Sequence, residues 1–284
     1  MYIPPKPPLN VVVKIAAGGK GRREIEDNIR GYTAIREDGI GYVLPLIIEE
    51  CNKGEFAAVV MEDLGDSFYD TALKHETPVE LYKDLILAFR DLCIVTLKLD
   101  DESRRMLNEV KSNIKSKYEG VLKRRGFVDD RDVKLVDGLD TNALSPHYSA
   151  FGCYDFTPED VFLRERNIKY PDPKSRVRGC PIISLAAFAG VSRDSYNLPG
   201  AREGYATMES FAVNEVGPII GITEDHASAL FNLGRAMQLS ISSVYRVDKD
   251  MERAKEFGRM SIEHLEKASK FEAIERMRKE VRRS

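Results

Sequence analysis

Three aspartates, Asp155, Asp160 and Asp172, bracket two short apolar runs in FGCYDFTPEDVFLRERNIKYPDPKSRVRGCPIISLAAFAG (151–190). The segment reads as a loop, a short strand VFL, the turn RERN, a second strand IKY, and then Asp172 inside a Pro-Asp-Pro turn. A hairpin brings the ends of its strands together, so these carboxylates are expected to converge although they are apart in sequence. Converging acidic groups on a loop suit a hard cation, and Mg²⁺ takes one or two carboxylates, keeps several waters and binds substrate phosphates. Lys14, the polar side chain within the apolar run NVVVKIA, adds a positive charge for phosphate oxygens. A lysine on the phosphates, carboxylates on a metal and a carboxylate orienting an acceptor hydroxyl make up the inventory of a phosphoryl-transfer site. Each residue also has a plainer reading alone. Lys14 could snorkel from a strand edge, Asp155 could cap the turn at Thr157 and Pro158, and Asp172 could be a turn aspartate between prolines. Their conjunction, in this order and spacing, favours the site.

The elements that must position these groups follow from hydrophobic periodicity. LNVVVKIA (9–16) is β-branched and apolar apart from Lys14, the pattern of a buried strand. The glycine turn AGGKG (17–21) follows, then REIEDNIRGYTAIRED (23–38), which sets Ile25, Ile29, Tyr32 and Ile35 or Arg36 at helical spacing before Gly39. The turn precedes a helix, where free amides suit a phosphate, and equally serves as a connector. YVLPLIIEEC (42–51) and EFAAVVMED (55–63) read as two strands with a hairpin turn at Asn52 and Gly54. After Gly65 the pattern becomes helical. LYKDLILAFRDLCIVTLKL (81–99) is apolar on more than one side, residues 101–136 are a charged helical stretch with KRR at 123–125, and the tail from Asp248 is another. The first ten residues hold four prolines and read as an irregular arm.

With these motifs in order, the sequence resembles the protein kinase-like superfamily, in its aminoglycoside phosphotransferase and choline kinase-like branch. That branch has a catalytic loop His-x-Asp-x-x-x-x-Asn, two short strands and a metal-binding Asp. Cys153, Asp155, Asp160 and Asp172 stand at those places, followed by Gly-x-Pro-x-x-x-Leu-Ala at Gly179 to Ala186. The resemblance implies an α+β, bilobal protein kinase-like fold. Residues 1–63 would be a small antiparallel-sheet N-lobe that binds nucleotide. Residues 64–284 would be a larger, mainly helical C-lobe with the catalytic loop at 151–173. It implies ATP and Mg²⁺ as cofactors, Asp155 as catalytic base, Asp160 and Asp172 as metal ligands, and Lys14 on the phosphates. The helix residue facing Lys14 is taken as Glu26, with Glu24 and Asn28 as alternatives, and backbone groups from Met61 to Asp63 would receive adenine. The chain departs from the pattern at Cys153 for His, at Asp160 for Asn, and at Ser184, where many members carry an Asp that braces the loop. Ten residues precede VVVKI, too few for the glycine-rich hairpin that covers ATP phosphates, so AGGKG takes over part of that role or the phosphates are less enclosed.

The implied activity is transfer of the γ-phosphoryl group to a hydroxyl of a small molecule or of a protein. The alternative is a catalytically weak or inactive pseudokinase that acts as a nucleotide-binding regulator or scaffold with a protein partner. Composition narrows the remaining classes. The 43 basic and 46 acidic residues nearly cancel to a net charge of −3, which argues against nucleic acid as partner. Cys51, Cys93, Cys153 and Cys180 form no C-x-x-C pair, and the four histidines lack metal-ligand spacing. No G-x-S-x-G, H-E-x-x-H or G-x-G-x-x-G motif is present. No apolar leader or eighteen-residue apolar run is present either, so the expectation is a soluble cytoplasmic protein without a membrane partner.

Overall fold

A computed structural model describes residues 10–75, 78–153, 156–164, 166–173, 178–189 and 201–281. The proline-rich arm, Asp155 and the stretch 190–200 lie outside the described residues. The elements run β1 (Val11–Ala17), α1 (Gly19–Glu37), β2 (Ile47–Lys53), β3 (Phe56–Glu62), α2 (Phe68–Lys74), α3 (Pro78–Thr96), β4 (Lys98–Leu99) and α4 (Glu102–Lys117). They continue through α5 (Asp130–Gly138), α6 (Thr141–Leu144), β5 (Tyr148–Phe151), β6 (Phe162–Arg164), β7 (Asn167–Lys169), β8 (Arg178–Gly179) and α7 (Pro181–Phe188). The last helices are α8 (Ala201–Phe211), α9 (Gly217–Ile219), α10 (Glu224–Arg246) and α11 (Met251–Val281).

The chain divides into two compact units, Met1–Thr71 with Glu159–Val177, and Ala72–Pro158 with Arg178–Ser284. The sequence suggested one break near residue 63. Instead the first unit runs on to Thr71 and takes in the later segment that carries Asp160 and Asp172. Backbone hydrogen bonds explain the regrouping: the amide of Phe68 donates to the carbonyl of Val161 at 2.6 Å, and that of Tyr170 to Val43 at 2.7 Å.

In the first unit, β1, β3 and β2 form an antiparallel sheet in that order. β1 is therefore an edge strand, and it is not buried as its β-branched run suggested: Val13 is 56% and Ile15 68% exposed. The register gives the reason. Lys14 lies opposite Val59, whereas Val13 and Ile15 lie opposite Val60 and Ala58. Paired residues share a face, so Lys14 takes the inner face with buried Val59 and the apolar residues on either side of it look outward. The helix after the glycine turn starts at Gly19 rather than near 23, with Gly18 at φ 61° and Gly19 at φ 58°. Glycine enters this left-handed region without the steric cost of a Cβ. The strand expected from 42 begins only at Ile47, after a 3-10 turn at Gly41–Val43, and the intervening Pro45 has no amide to donate to a ladder.

In the second unit, the rings of Phe89, Phe151, Phe156 and Phe188 pack at centroid separations from 5.5 to 6.3 Å in tilted and edge-on pairs. α7 is buried at every position. It lies against α10, where a Cβ on Gly234 would come within 2.6 Å of the Ala186 Cβ. Among the described residues no helix is long and apolar enough to cross a membrane.

α10 and α11 are joined partly through His264, whose Nδ1 is 2.7 Å from the Asn232 Oδ1. Burial, followed by the charges of Arg235 and Lys267, lowers the His264 imidazole to about 4. An unfolded chain binds this proton near pH 6.5. Unfolding therefore takes up a proton between those values, and the stability that His264 confers is complete above pH 6.5 and is lost as pH falls toward 4. We expect a loss on the order of 2 kcal/mol across that window. Denaturant titrations at several pH values, compared with His264→Gln, check it. An equally steep dependence in the variant would assign the effect to another group.

Candidate functional site

The first unit brings together residues far apart in sequence. The Lys14 ammonium donates to Asp172 Oδ1 although 158 positions separate the two, and the pair is partly exposed. Asn28 Nδ2 donates to the same oxygen at 2.7 Å. Asn28 is 4% exposed and lies on the buried face of α1 with Ile25, Gly31, Tyr32 and Ile35, a spacing of three and four that turns one side of the helix inward. Tyr32 donates its hydroxyl to the Pro171 carbonyl at 2.8 Å, next to Asp172 in the chain. Burial and then the charges of Asp172 and Glu50 push the Tyr32 phenol well above its ordinary value, so it stays a protonated donor.

It is thus Asn28, not Glu26, that meets the Lys14–Asp172 pair. Glu26 lies off the buried face of α1 and accepts from Arg22 Nε at 2.9 Å. Arg22 also reaches Asn52 Oδ1 at 3.2 Å and the Gly54 carbonyl, which ties the start of α1 to the β2–β3 turn.

β6 and β7 form the expected hairpin, with Phe162 opposite Lys169 and Arg164 opposite Asn167. This register puts Asp160, ahead of β6, and Asp172, beyond β7, at the same open end. Among the described residues no three His, Cys, Asp or Glu side chains gather as a metal-binding group. The donor chemistry nonetheless fits a hard cation. Both hydrogen bonds to Asp172 fall on Oδ1, and among the described residues none uses Oδ2. The Asp172 side chain is partly exposed, and a carboxylate of this kind is what Mg²⁺ accepts while keeping most of its waters.

Met61 is buried in β3, paired with Val12 on one side and Ile47 on the other. The Asp63 amide donates to the Asn10 carbonyl at 2.9 Å, and the Asp63 Oδ1 accepts from the Gly65 amide at 2.9 Å. Arg164 takes the neighbouring carbonyls, with its Nη2 at 2.6 Å from Leu64 and 3.4 Å from Asp63. Arg164 was not legible as a site residue, because an arginine in a charged turn reads as solvated. Its role appears only once β6 lies beside residues 63–65.

In the second unit the segment that the resemblance takes as a catalytic loop is held on both sides of Asp155, which itself lies outside the described residues. The Cys153 amide donates to Ser184 Oγ at 2.6 Å, so a buried hydroxyl does the bracing expected of an aspartate at that position. Gly152 passes so close that a Cβ there would lie 3.1 Å from the Gly179 backbone. Phe156 anchors the other side in the aromatic cluster. Cys180 follows in the same layer, and burial pushes its thiol up to about 12, so it is no nucleophile.

Comparison with solved structures finds glucosamine kinase at a TM-score of 0.51 and 12% identity, covering 90% of this chain and 71% of that one. An aminoglycoside phosphotransferase from Streptomyces rimosus, in complex with ADP and streptomycin, aligns at a TM-score of 0.48 and 12% identity, covering 90% of this chain and 86% of that one. Choline kinase from Cryptosporidium parvum aligns at 0.47 and 11% identity, covering 93% and 83%. No protein-family model and no curated protein matches the sequence. The fold is nevertheless clear from the structure: the chain has an α+β, kinase-like fold similar to that of glucosamine kinase.

Proposed function

We propose that this protein is an ATP- and Mg²⁺-dependent phosphotransferase that passes the γ-phosphoryl group to a hydroxyl acceptor. The observation that carries the reading is the meeting of Lys14 with Asp172 across 158 positions, with buried Asn28 fixing the same carboxylate oxygen. A lysine and an aspartate held together by a helix amide have little purpose as a surface ion pair, since such pairs contribute about 0–1 kcal/mol. They suit a site that must present one positive and one negative group to a phosphate and its cation. In this reading Lys14 binds phosphate oxygens, Asp160 and Asp172 hold the cation, and Asp155 orients the acceptor hydroxyl and takes its proton. Bound Mg²⁺ would supply charge neutralisation on the transferring group. The residues of the chain contribute position and field, which is most of what phosphoryl transfer asks of a protein.

The backbone at Asp63 and Leu64, engaged by Asn10 and Arg164, favours a second reading in which the nucleotide is held weakly and the protein serves as a scaffold. One experiment separates the two. The full chain is incubated with γ-labelled ATP and Mg²⁺, alone and with hydroxyl acceptors that include amino sugars, beside a thermal-shift titration with ATP. Label transferred or released supports the enzyme. An ATP-dependent shift with no label moved supports the scaffold, and neither signal overturns both.

A further inference from the structure

The β1–β3–β2 sheet has two unlike faces. Its inner face holds Lys14, Val59 and Glu50 and packs against α1, from which Arg36 reaches Glu50 at 3.1 Å. β3 alternates accordingly: Ala57, Val59 and Met61 are buried, whereas Phe56, Ala58, Val60 and Glu62 are not. The register lays the outer residues out in rows, Val13–Val60–Glu49, Ile15–Ala58–Cys51 and Ala17–Phe56–Lys53. Val13, Ile15 and Phe56 are each more than half exposed, and a contiguous apolar patch with a charged rim marks an interaction surface. The rim identifies the partner. Glu49 and Lys53 stand on β2 one row to either side of Cys51, on one face because strand side chains alternate. Four residues of extended strand hold them about 13 Å apart. Among the described residues neither side chain makes an ion pair or a hydrogen bond. A second copy laid face to face with its strands reversed sets Glu49 of each copy over Lys53 of the other. The same rotation sets Val60 over Phe56 and Val13 over Ala17, and places small Ala58 over its own counterpart at the centre.

We propose that the outer face of this sheet is a self-association surface, on which two copies of the chain pair about a two-fold axis along the row Ile15–Ala58–Cys51, with Glu49–Lys53 ion pairs across the β2 flank. A two-fold interface uses one patch twice, so the patch must complement itself under the rotation, as this one does in charge and in size. Aligned sheets pack about 10 Å apart with their side chains interdigitated, which suits the mixture of large and small residues here. Three strands of seven residues span only about 23 Å by about 14 Å. The interface is therefore small for a specific one, and the dimer forms and dissociates with concentration. The inference stands apart from the phosphotransferase reading, because its residues lie on the face opposite Lys14.

The test is sedimentation equilibrium of the full chain from micromolar to millimolar concentration, with circular dichroism to establish that each variant is folded. The parent should form a reversible dimer. Ile15→Asp buries two like charges at the axis and should weaken dimerisation at least tenfold. An aspartate in an edge strand can also disturb the sheet, so a charge exchange on the rim provides a second measurement. Glu49→Lys and Lys53→Glu should each weaken the dimer by about three- to tenfold, and the two together should return it to within about threefold of the parent, because the ion pairs re-form with reversed sign. Cys93, Cys153 and Cys180 are buried, so a short bismaleimide should join two parent chains through Cys51. Restoration by the double exchange, together with Cys51 coupling, supports the two-fold pairing. A parent that is monomeric throughout overturns it, as does a dimer that folded Ile15→Asp leaves intact or one that the double exchange does not restore. A monomeric parent that sediments with phosphatidylcholine vesicles gives the face to a lipid surface and overturns the proposal as well.

Discussion

Asp172→Asn should slow phosphoryl transfer by about 10²- to 10³-fold, the loss typical when a preorganised electrostatic contact to the reacting group is removed. The substitution keeps the shape and the acceptor oxygen, so Lys14 and Asn28 retain a hydrogen-bond partner. It removes the charge that would hold the cation in the proposed site. Nucleotide affinity in the presence of Mg²⁺ should fall along with the rate. Folding should change little, because Lys14 and Asp172 are 28% and 42% exposed as side chains and partly exposed pairs contribute about 0–1 kcal/mol. Asp155→Ala provides the contrast: a base that acts on the acceptor should lower the rate without weakening nucleotide binding. Steady-state transfer of labelled phosphate, paired with a binding isotherm for each variant, reads both quantities. An Asp172→Asn protein that turns over as fast as its parent removes Asp172 from the phosphate site.

That prediction rests on residues whose types were legible in the sequence and whose partners were not. The hairpin between Asp160 and Asp172 was readable because both strands are short, apolar and joined by a charged turn. The α1 face was readable because Ile25, Tyr32 and Ile35 recur at helical spacing, and that spacing already placed Asn28 inward. Glu26 is the wrong residue for that face although it carries a carboxylate, because a residue one position after Ile25 turns about 100° away from it, toward Arg22 one turn earlier. β1 was misjudged for a related reason. A run of valines carries no alternation, so periodicity could not tell a strand buried on both faces from an edge strand whose polar residue looks inward. Nothing local marked residues 159–177 as part of the first unit, since the bonds that bring them there, Phe68 to Val161 and Tyr170 to Val43, are long-range backbone contacts that any residue type can make.

The largest effect on folding is expected at Phe156. Its ring contacts those of Phe89 and Phe188, both at 5.5 Å, and Phe151 at 6.1 Å, and it is fully buried. Truncation removes the transfer free energy of an aromatic side chain and leaves a cavity whose walls are themselves rigid rings, poorly able to collapse inward. Phe156→Ala should therefore cost about 3–5 kcal/mol in the unfolding of the second unit. Phe156→Leu refills most of the volume and should cost roughly 1 kcal/mol. Denaturant unfolding followed by far-ultraviolet circular dichroism measures both, and an alanine variant within about 1 kcal/mol of its parent would refute the cavity argument. The same ring has a second duty, because Phe156 directly follows Asp155, and its amide lies 3.4 Å from the Cys153 carbonyl while the Cys153 amide is held by Ser184. In the function proposed above, the Asp155 carboxylate is only as well placed as the residues that pin its loop on each side. Here the described pins include a hydrogen bond to the buried Ser184 hydroxyl and the packing of the Phe156 ring. Loss of phosphoryl transfer in Phe156→Ala should thus exceed what its unfolded fraction accounts for.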